Sequence, residues 1–128
     1  MIKEAYCNYE MSMFLKEKGF NEYCSGYYKF DKSLGILSKA VINNSALDDD
    51  GIDISAPTHQ MVLAWLREVH KWSIQVFPVF DNLKWCYDIY ELKIQKYHSR
   101  PELLSDVDYD TYEEAVEAAI KYVLENLI

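Results

Sequence analysis

Phe14-Leu15-Lys16-Glu17 returns 51 positions later as Trp65-Leu66-Arg67-Glu68, and the sequence around these two phrases decides the fold. Each phrase ends a stretch whose apolar residues recur at helical spacing, and each is followed by aromatic-rich sequence that alternates like a strand. In the first stretch, residues 8 to 18, Met11, Phe14, Leu15 and Lys18 fall at i, i+3, i+4 and i+7, the lysine lending its stem to the face. Gly19 stops the pattern, because glycine accepts the left-handed cap conformation. Beyond it Tyr23 to Phe30 reads as a strand, Asp31-Lys32-Ser33-Leu34-Gly35 as a turn, and Ile36 to Ile42 as a second strand.

The second phrase sits in the same kind of setting. Ala56-Pro57-Thr58 opens a helix, with Pro57 where no N–H is required and Thr58 able to cap. Met61, Val62, Trp65, Leu66 and Val69 form its apolar stripe. Trp72 to Phe80 alternates as a strand, with Trp72, Ile74, Val76 and Phe80 on one face and Ser73 and Gln75 on the other. Pro78 offers no ladder donor, so this end belongs at a sheet edge or a bulge. Asp81 to Lys84 turns the chain and Trp85 to Leu92 returns. Between the halves, Asn43 to Ser55 is rich in Asn, Asp and Ser and reads as a loop.

Residues 93 to 110 are polar, with a short strand expected near Val107 to Tyr109. Thr111-Tyr112-Glu113-Glu114 is a capping box, and Tyr112, Ala115, Val116, Ala119, Ile120, Val123 and Leu127 make the apolar face of a final helix. Glu117 and Lys121 form an i,i+4 pair in the favoured order. The sum is an α+β fold with antiparallel hairpins, in the order α-β-β-α-β-β-α. Residues 1–128 read as a single domain holding a pseudo-repeat, 8–42 and 58–92, closed by a helix over 111–127.

Composition narrows the function classes. Thirteen Lys and Arg against 21 Asp and Glu give a net charge of −8. That balance argues against direct nucleic-acid binding, which needs a basic footprint to replace counterions. The helix-hairpin-helix outline of the second half resembles a double-stranded RNA-binding domain, but Glu113, Glu114 and Glu117 stand where such domains need lysines. The basic stretch Lys93, Lys96, His98 and Arg100 reads as a solvated loop. No segment is apolar enough for a signal peptide or a membrane span, so the expectation is a cytoplasmic protein without membrane contact. Cys7, Cys24 and Cys86 are odd in number and widely spaced, which points to reduced, packed thiols. Asn43-Asn44-Ser45 fits a glycosylation sequon, relevant only on secretion.

Chemistry-bearing motifs are few. Asp48-Asp49-Asp50-Gly51 lacks the first and twelfth ligands of a calcium loop and reads as a hydrated turn. Asp106, Asp108 and Asp110 alternate, with Glu117 at the twelfth position of that frame, and form a weak metal candidate. Against it stands the reading in which alternation puts all three aspartates on a wet face near a helix N-terminus. His59, His70 and His98 show no metal spacing; His70 falls in a helix's last turn, where a positive ring suits the carbonyl end. A pairing of Cys86 with a histidine competes with a thiol packed on a strand face. No catalytic or nucleotide motif is present, and the composition calls for no cofactor.

Eleven tyrosines and three tryptophans remain to be placed. Tyr23, Tyr27, Trp72, Trp85, Tyr87 and Tyr90 sit on hairpins where both faces cannot all be core, and they are candidates for a partner-binding face. The alternative is a sheet covered by helices with tyrosine tips at its rim.

The succession of phrases also resembles a known family. Phe14-Leu15-Lys16-Glu17-Lys18-Gly19-Phe20, Cys24, Tyr27-Tyr28, Ala56-Pro57-Thr58, Trp65-Leu66-Arg67-Glu68 and Thr111-Tyr112-Glu113-Glu114-Ala115 together are similar to small uncharacterised proteins common in gut Bacteroidales and their prophages. The resemblance spans nearly the whole chain. It implies a prophage or mobile-element setting, a cytoplasmic product and no known enzyme class. Three readings follow. The first is a non-enzymatic module that binds a host or phage protein through its aromatic hairpins. The second is an acidic mimic of nucleic acid, suggested by the run from Glu102 to Glu117 without a basic residue. The third is a small metal-dependent enzyme built on the aspartates. Strand addition at the edge marked by Pro78 would in addition allow a homodimer.

Overall fold

The computed structural model describes residues 2–45, 47, 51–80, 83–98 and 108–128. They build an α+β fold with three helices and two three-stranded antiparallel sheets. The chain divides into two compact units, Met1–Met61 and Val62–Ile128.

The first unit opens with α1, Tyr9–Glu17. Asn8 caps it by accepting from the Met11 amide at 2.8 Å, and Gly19 leaves it at φ 91°. Three strands follow: β1, Gly26–Lys29; β2, Leu34–Ile36; and β3, Ile52–Ala56. The sheet order is β2-β1-β3. Tyr28 faces Leu34 on one side and Ile54 on the other, so these three side chains share a face. On that face Tyr28, Ile54 and Ala56 form a buried cluster joined by Tyr9 and Met13 of α1. Tyr9 meets Tyr28 edge to face at 5.7 Å and its hydroxyl donates to Asp53. The Tyr28 hydroxyl in turn donates to the Cys7 carbonyl at 2.7 Å.

Two expectations are corrected here. The second strand covers Leu34–Ile36, not Ile36 to Ile42; of the latter stretch only Ile42 pairs, in a single bridge to Cys24. The stretch from Asn43 to Ser55 is not all loop, because β3 begins at Ile52. Ile52, Ile54 and Ala56 alternate with Asp53 and Ser55 as a half-buried strand does, but over five residues at the end of an Asn-, Asp- and Ser-rich stretch. Asn43, the first residue of the sequon, is buried. Instead Asn44 works as a clamp: its amide donates to the Phe20 carbonyl at 2.8 Å and its oxygen accepts from the Ser55 amide at 3.0 Å. Asn21 holds Ser45 in the same way, accepting from its backbone nitrogen at 2.8 Å and donating to its hydroxyl at 3.0 Å.

Helix α2, His59–Glu68, contains the division between the units. Thr58 caps it, accepting from the Met61 amide at 3.2 Å. In the second unit β4, Trp72–Val79, pairs along its whole length with β5, Lys84–Glu91. A two-residue strand, β6 (Lys96–Tyr97), adds to the other side of β5, giving the order β4-β5-β6. The short strand expected near Val107 to Tyr109 reduces, among the described residues, to one bridge between Tyr109 and Trp85. In that bridge the Trp85 amide donates to Tyr109 at 2.7 Å and its carbonyl accepts from the Tyr109 amide at 2.8 Å, so the polar groups of Trp85 point away from β4. Pro78 lies opposite Trp85, and its nitrogen therefore faces the open edge, where no donor is missed. Phe80 lies past the strand and is exposed, so it does not extend the apolar face.

Helix α3, Tyr112–Asn126, starts at Thr111, whose hydroxyl accepts from the Glu114 amide at 3.1 Å. Ala115, Val116, Ala119, Ile120, Val123 and Leu124 are buried, and the helix lies against β4 and β5. Lys121 comes within 3.7 Å of Glu125. The strand orders of the two units differ: the first strand of the hairpin is central in one, the second strand in the other.

Candidate functional site

Strand alternation in the second unit sorts its aromatic residues onto two faces. Trp72, Ile74 and Val76 of β4 share a face with Trp85, Tyr87 and Ile89 of β5. Tyr87 and Ile89 are fully buried there. Trp85 meets Tyr112 of α3 edge to face at 5.4 Å, and Tyr87 lies 6.2 Å from Tyr109. Trp72 packs against His98 at 5.8 Å, and His98 makes a 3.0 Å hydrogen bond to the Tyr122 hydroxyl of α3. This is the helix side of the sheet.

The other face carries Ser73, Gln75, Phe77 and Val79 of β4 with Lys84, Cys86, Asp88 and Tyr90 of β5. Tyr97 of β6 stands directly opposite Tyr90, and their rings lie 4.0 Å apart at an interplanar angle of 33°. Tyr97 is 62% exposed and covers the half-buried Tyr90; Gln75 and Phe77 are also exposed. The hydrogen bond between Tyr90 and Tyr97, then desolvation, and last the nearby Asp88 charge push the Tyr90 phenol up to about 12. The two rings thus lie together, tilted, on an open sheet face.

The six aromatic candidates are therefore dispersed. Tyr87 belongs to the core, Trp72 and Trp85 to the helix side, and Tyr90 to the open face. Tyr23 and Tyr27 belong to the first unit, where Tyr23 is exposed before β1 and the Tyr27 ring lies over Gly35 of β2. Sequence reasoning missed Tyr97. It stands in a polar stretch, and a two-residue strand leaves no alternation to detect.

Of the acidic candidates, Asp106 and the Asp48–Asp50 run lie outside the described residues. The Asp110 carboxylate pairs with the Lys84 ammonium, and Asp110, Asp108 and Glu114 together raise the Lys84 pKa. Glu117 lies within α3. Among the described residues no three side chains of metal-binding type form a group that could hold an ion.

The three cysteines form no disulfide, and two of them, Cys7 and Cys24, are buried. Burial pushes Cys24 up to about 11, and its sulfur lies 3.5 Å from that of Met61. Cys86 contacts the Tyr87 carbonyl at 3.9 Å. His70 sits edge-on to Trp65 at 4.6 Å, and burial followed by the Lys93 charge lowers its pKa, which disfavours the positive ring that the sequence suggests. No helix among the described residues is long and apolar enough to cross a membrane. No protein-family profile, curated protein or solved structure matches the chain.

Proposed function

We propose that the protein is a non-enzymatic binding module of prophage or mobile-element origin that engages a host or phage protein through the open face of its second sheet. The observation that carries this reading is the Tyr90–Tyr97 stack, with Phe77 and Gln75 beside it on the face turned away from α3. Tyrosine offers large contact area with few rotors, and a stacked pair has already lost much of its freedom before a partner arrives. The residue types found there suit recognition rather than chemistry: the one thiol on the face is half-buried, and the Tyr90 phenol stays protonated far above neutral pH.

A tagged pull-down from native-type lysate, with and without nuclease, tests the proposal. A specific partner that survives nuclease and about 0.5 M salt, and is lost with Tyr97→Ala or Tyr90→Ala while the fold is retained, is the expected result. Binding that fades with salt and competes with DNA would replace this reading with the acidic mimic. A partner retained by both tyrosine variants would place the contact elsewhere.

A further inference from the structure

We propose that the Tyr90–Tyr97 pair is a modification site, at which a one-electron oxidant joins the two rings through their ortho carbons into a dityrosine. The inference goes beyond the binding reading and does not depend on it, since it concerns this chain alone. Register sets the geometry. The His98 amide donates to the Ile89 carbonyl at 2.8 Å, so Ile89 and His98 form a hydrogen-bonded pair of the β5–β6 ladder. Tyr90 and Tyr97, next along it, are then a non-bonded pair, the kind whose side chains stand closest.

The side chains keep that closeness to their tips. The ring centroids lie 4.0 Å apart at an interplanar angle of 33°, and the two hydroxyls share a hydrogen bond. Both rings therefore run outward in the same sense, and the ortho carbons beside one hydroxyl lie alongside those beside the other. Tyr97 supplies the access, being 62% exposed. Other tyrosine contacts lack this combination. Tyr9 and Tyr28 meet edge to face at 83° and 5.7 Å, and the buried Tyr28 commits its hydroxyl to the Cys7 carbonyl. Tyr87 and Tyr109 stand 6.2 Å apart, and Tyr87 is buried.

Each phenol gives one electron to the oxidant and its hydroxyl proton to water, leaving a phenoxyl radical with spin at its ortho carbons. One C–C bond forms between two such carbons. Each displaced ortho hydrogen then moves as a proton to its own ring's oxygen, so both phenols are restored. The net loss from the pair is two electrons and two protons. Holding the reacting carbons side by side makes the coupling intramolecular and favours it over collision between chains. Joined, the rings fasten β6, a strand of two residues, to β5 by a covalent bond as well as by the ladder.

Irradiation of the full chain with ruthenium tris-bipyridyl and persulfate tests this; persulfate takes up the electrons and ends as sulfate. Lys93 and Lys96 stand between the two tyrosines, so trypsin separates them unless the rings are joined. The expected result is a monomeric chain with dityrosine fluorescence and a joined pair of peptides, lighter by two hydrogens than its parts. Tyr97→Phe and Tyr90→Phe should each abolish that joined pair, which also separates it from a Tyr87–Tyr109 link between the same peptides. Far-UV circular dichroism checks that both variants fold. Unfolding the wild type in urea before irradiation should lower the yield. Absence of the joined pair at an exposure that couples free N-acetyltyrosine amide would overturn the proposal. So would a link that survives either variant, a link found only in covalent dimers, or an equal yield in urea.

Discussion

At the scale of single residues, two positions decide more than their size suggests. Gly26 lies in the middle of the first sheet, and a Cβ there would stand 2.5 Å from the Ala56 carbonyl oxygen and 2.9 Å from the Tyr6 ring. Backbone cannot swing aside as a side chain can, so Gly26→Ala is expected to cost about 1–3 kcal/mol in urea unfolding. A wild-type midpoint would show that β1 and β3 can separate there. The second position is Tyr90. Its raised pKa means that the protonated phenol is the stabilised form, so its contribution is complete below the unfolded value of 10.0 and disappears as the pH rises through about 12. Tyr97→Phe should bring the Tyr90 transition back toward 10.0 in an ultraviolet titration and flatten the alkaline loss of stability between those two values. An unchanged transition would assign the shift to desolvation of the Tyr90 ring first and to the Asp88 charge second.

At the scale of elements, legibility followed length and period. The three helices could be read because each carries several repeats of its apolar face and a capping side chain: Asn8, Thr58 and Thr111 all accept from the amide three residues on. Thr111→Ala should therefore destabilise the second unit by about 1 kcal/mol in thermal or urea unfolding, with Thr111→Ser restoring most of it. Equal loss with serine would assign the effect to packing of the methyl group. The long hairpin of β4 and β5 could be read because eight residues per strand show alternation plainly. Short strands could not. β3 alternates, but over only five residues beside an Asn-, Asp- and Ser-rich stretch, and β6 has only two residues. Both are defined by pairing partners far along the chain, which no local window contains. The open aromatic face was half legible for that reason: Tyr90 was visible and its partner Tyr97 was not.

At the scale of the molecule, the α+β class and the succession of helices and hairpins could be read from the sequence, while the strand orders could not. Periodicity states that a strand exists; which neighbour it takes depends on loop geometry and on competition for edges. The acidic balance acts at this scale too. The net charge of −8 at pH 7 keeps copies apart, and it vanishes near the pI of about 4.8. Solubility and monomer content should both fall as the pH is lowered toward that value, and light scattering across a pH series reads this directly. A flat profile would mean that exposed apolar edges, not charge, govern self-association.

The Asn44 clamp has a consequence on a much slower clock. An asparagine ages when the backbone nitrogen of the next residue attacks its side-chain carbon and expels ammonia. Here that nitrogen belongs to Ser45, and it is engaged in donating to Asn21, while the Asn44 amide itself is held between Phe20 and Ser55. Folding thus shields a bond that the free peptide would leave open to attack. Were the conversion to occur, the new carboxylate would face the Phe20 carbonyl with an acceptor in place of a donor. The intact protein should accumulate this change far more slowly than the urea-unfolded chain, and Asn21→Ala should shorten the interval, as peptide mass spectrometry of stored samples would record. The chemical lifetime of Asn44 is in this sense set by the hydrogen bonds around it in the first unit.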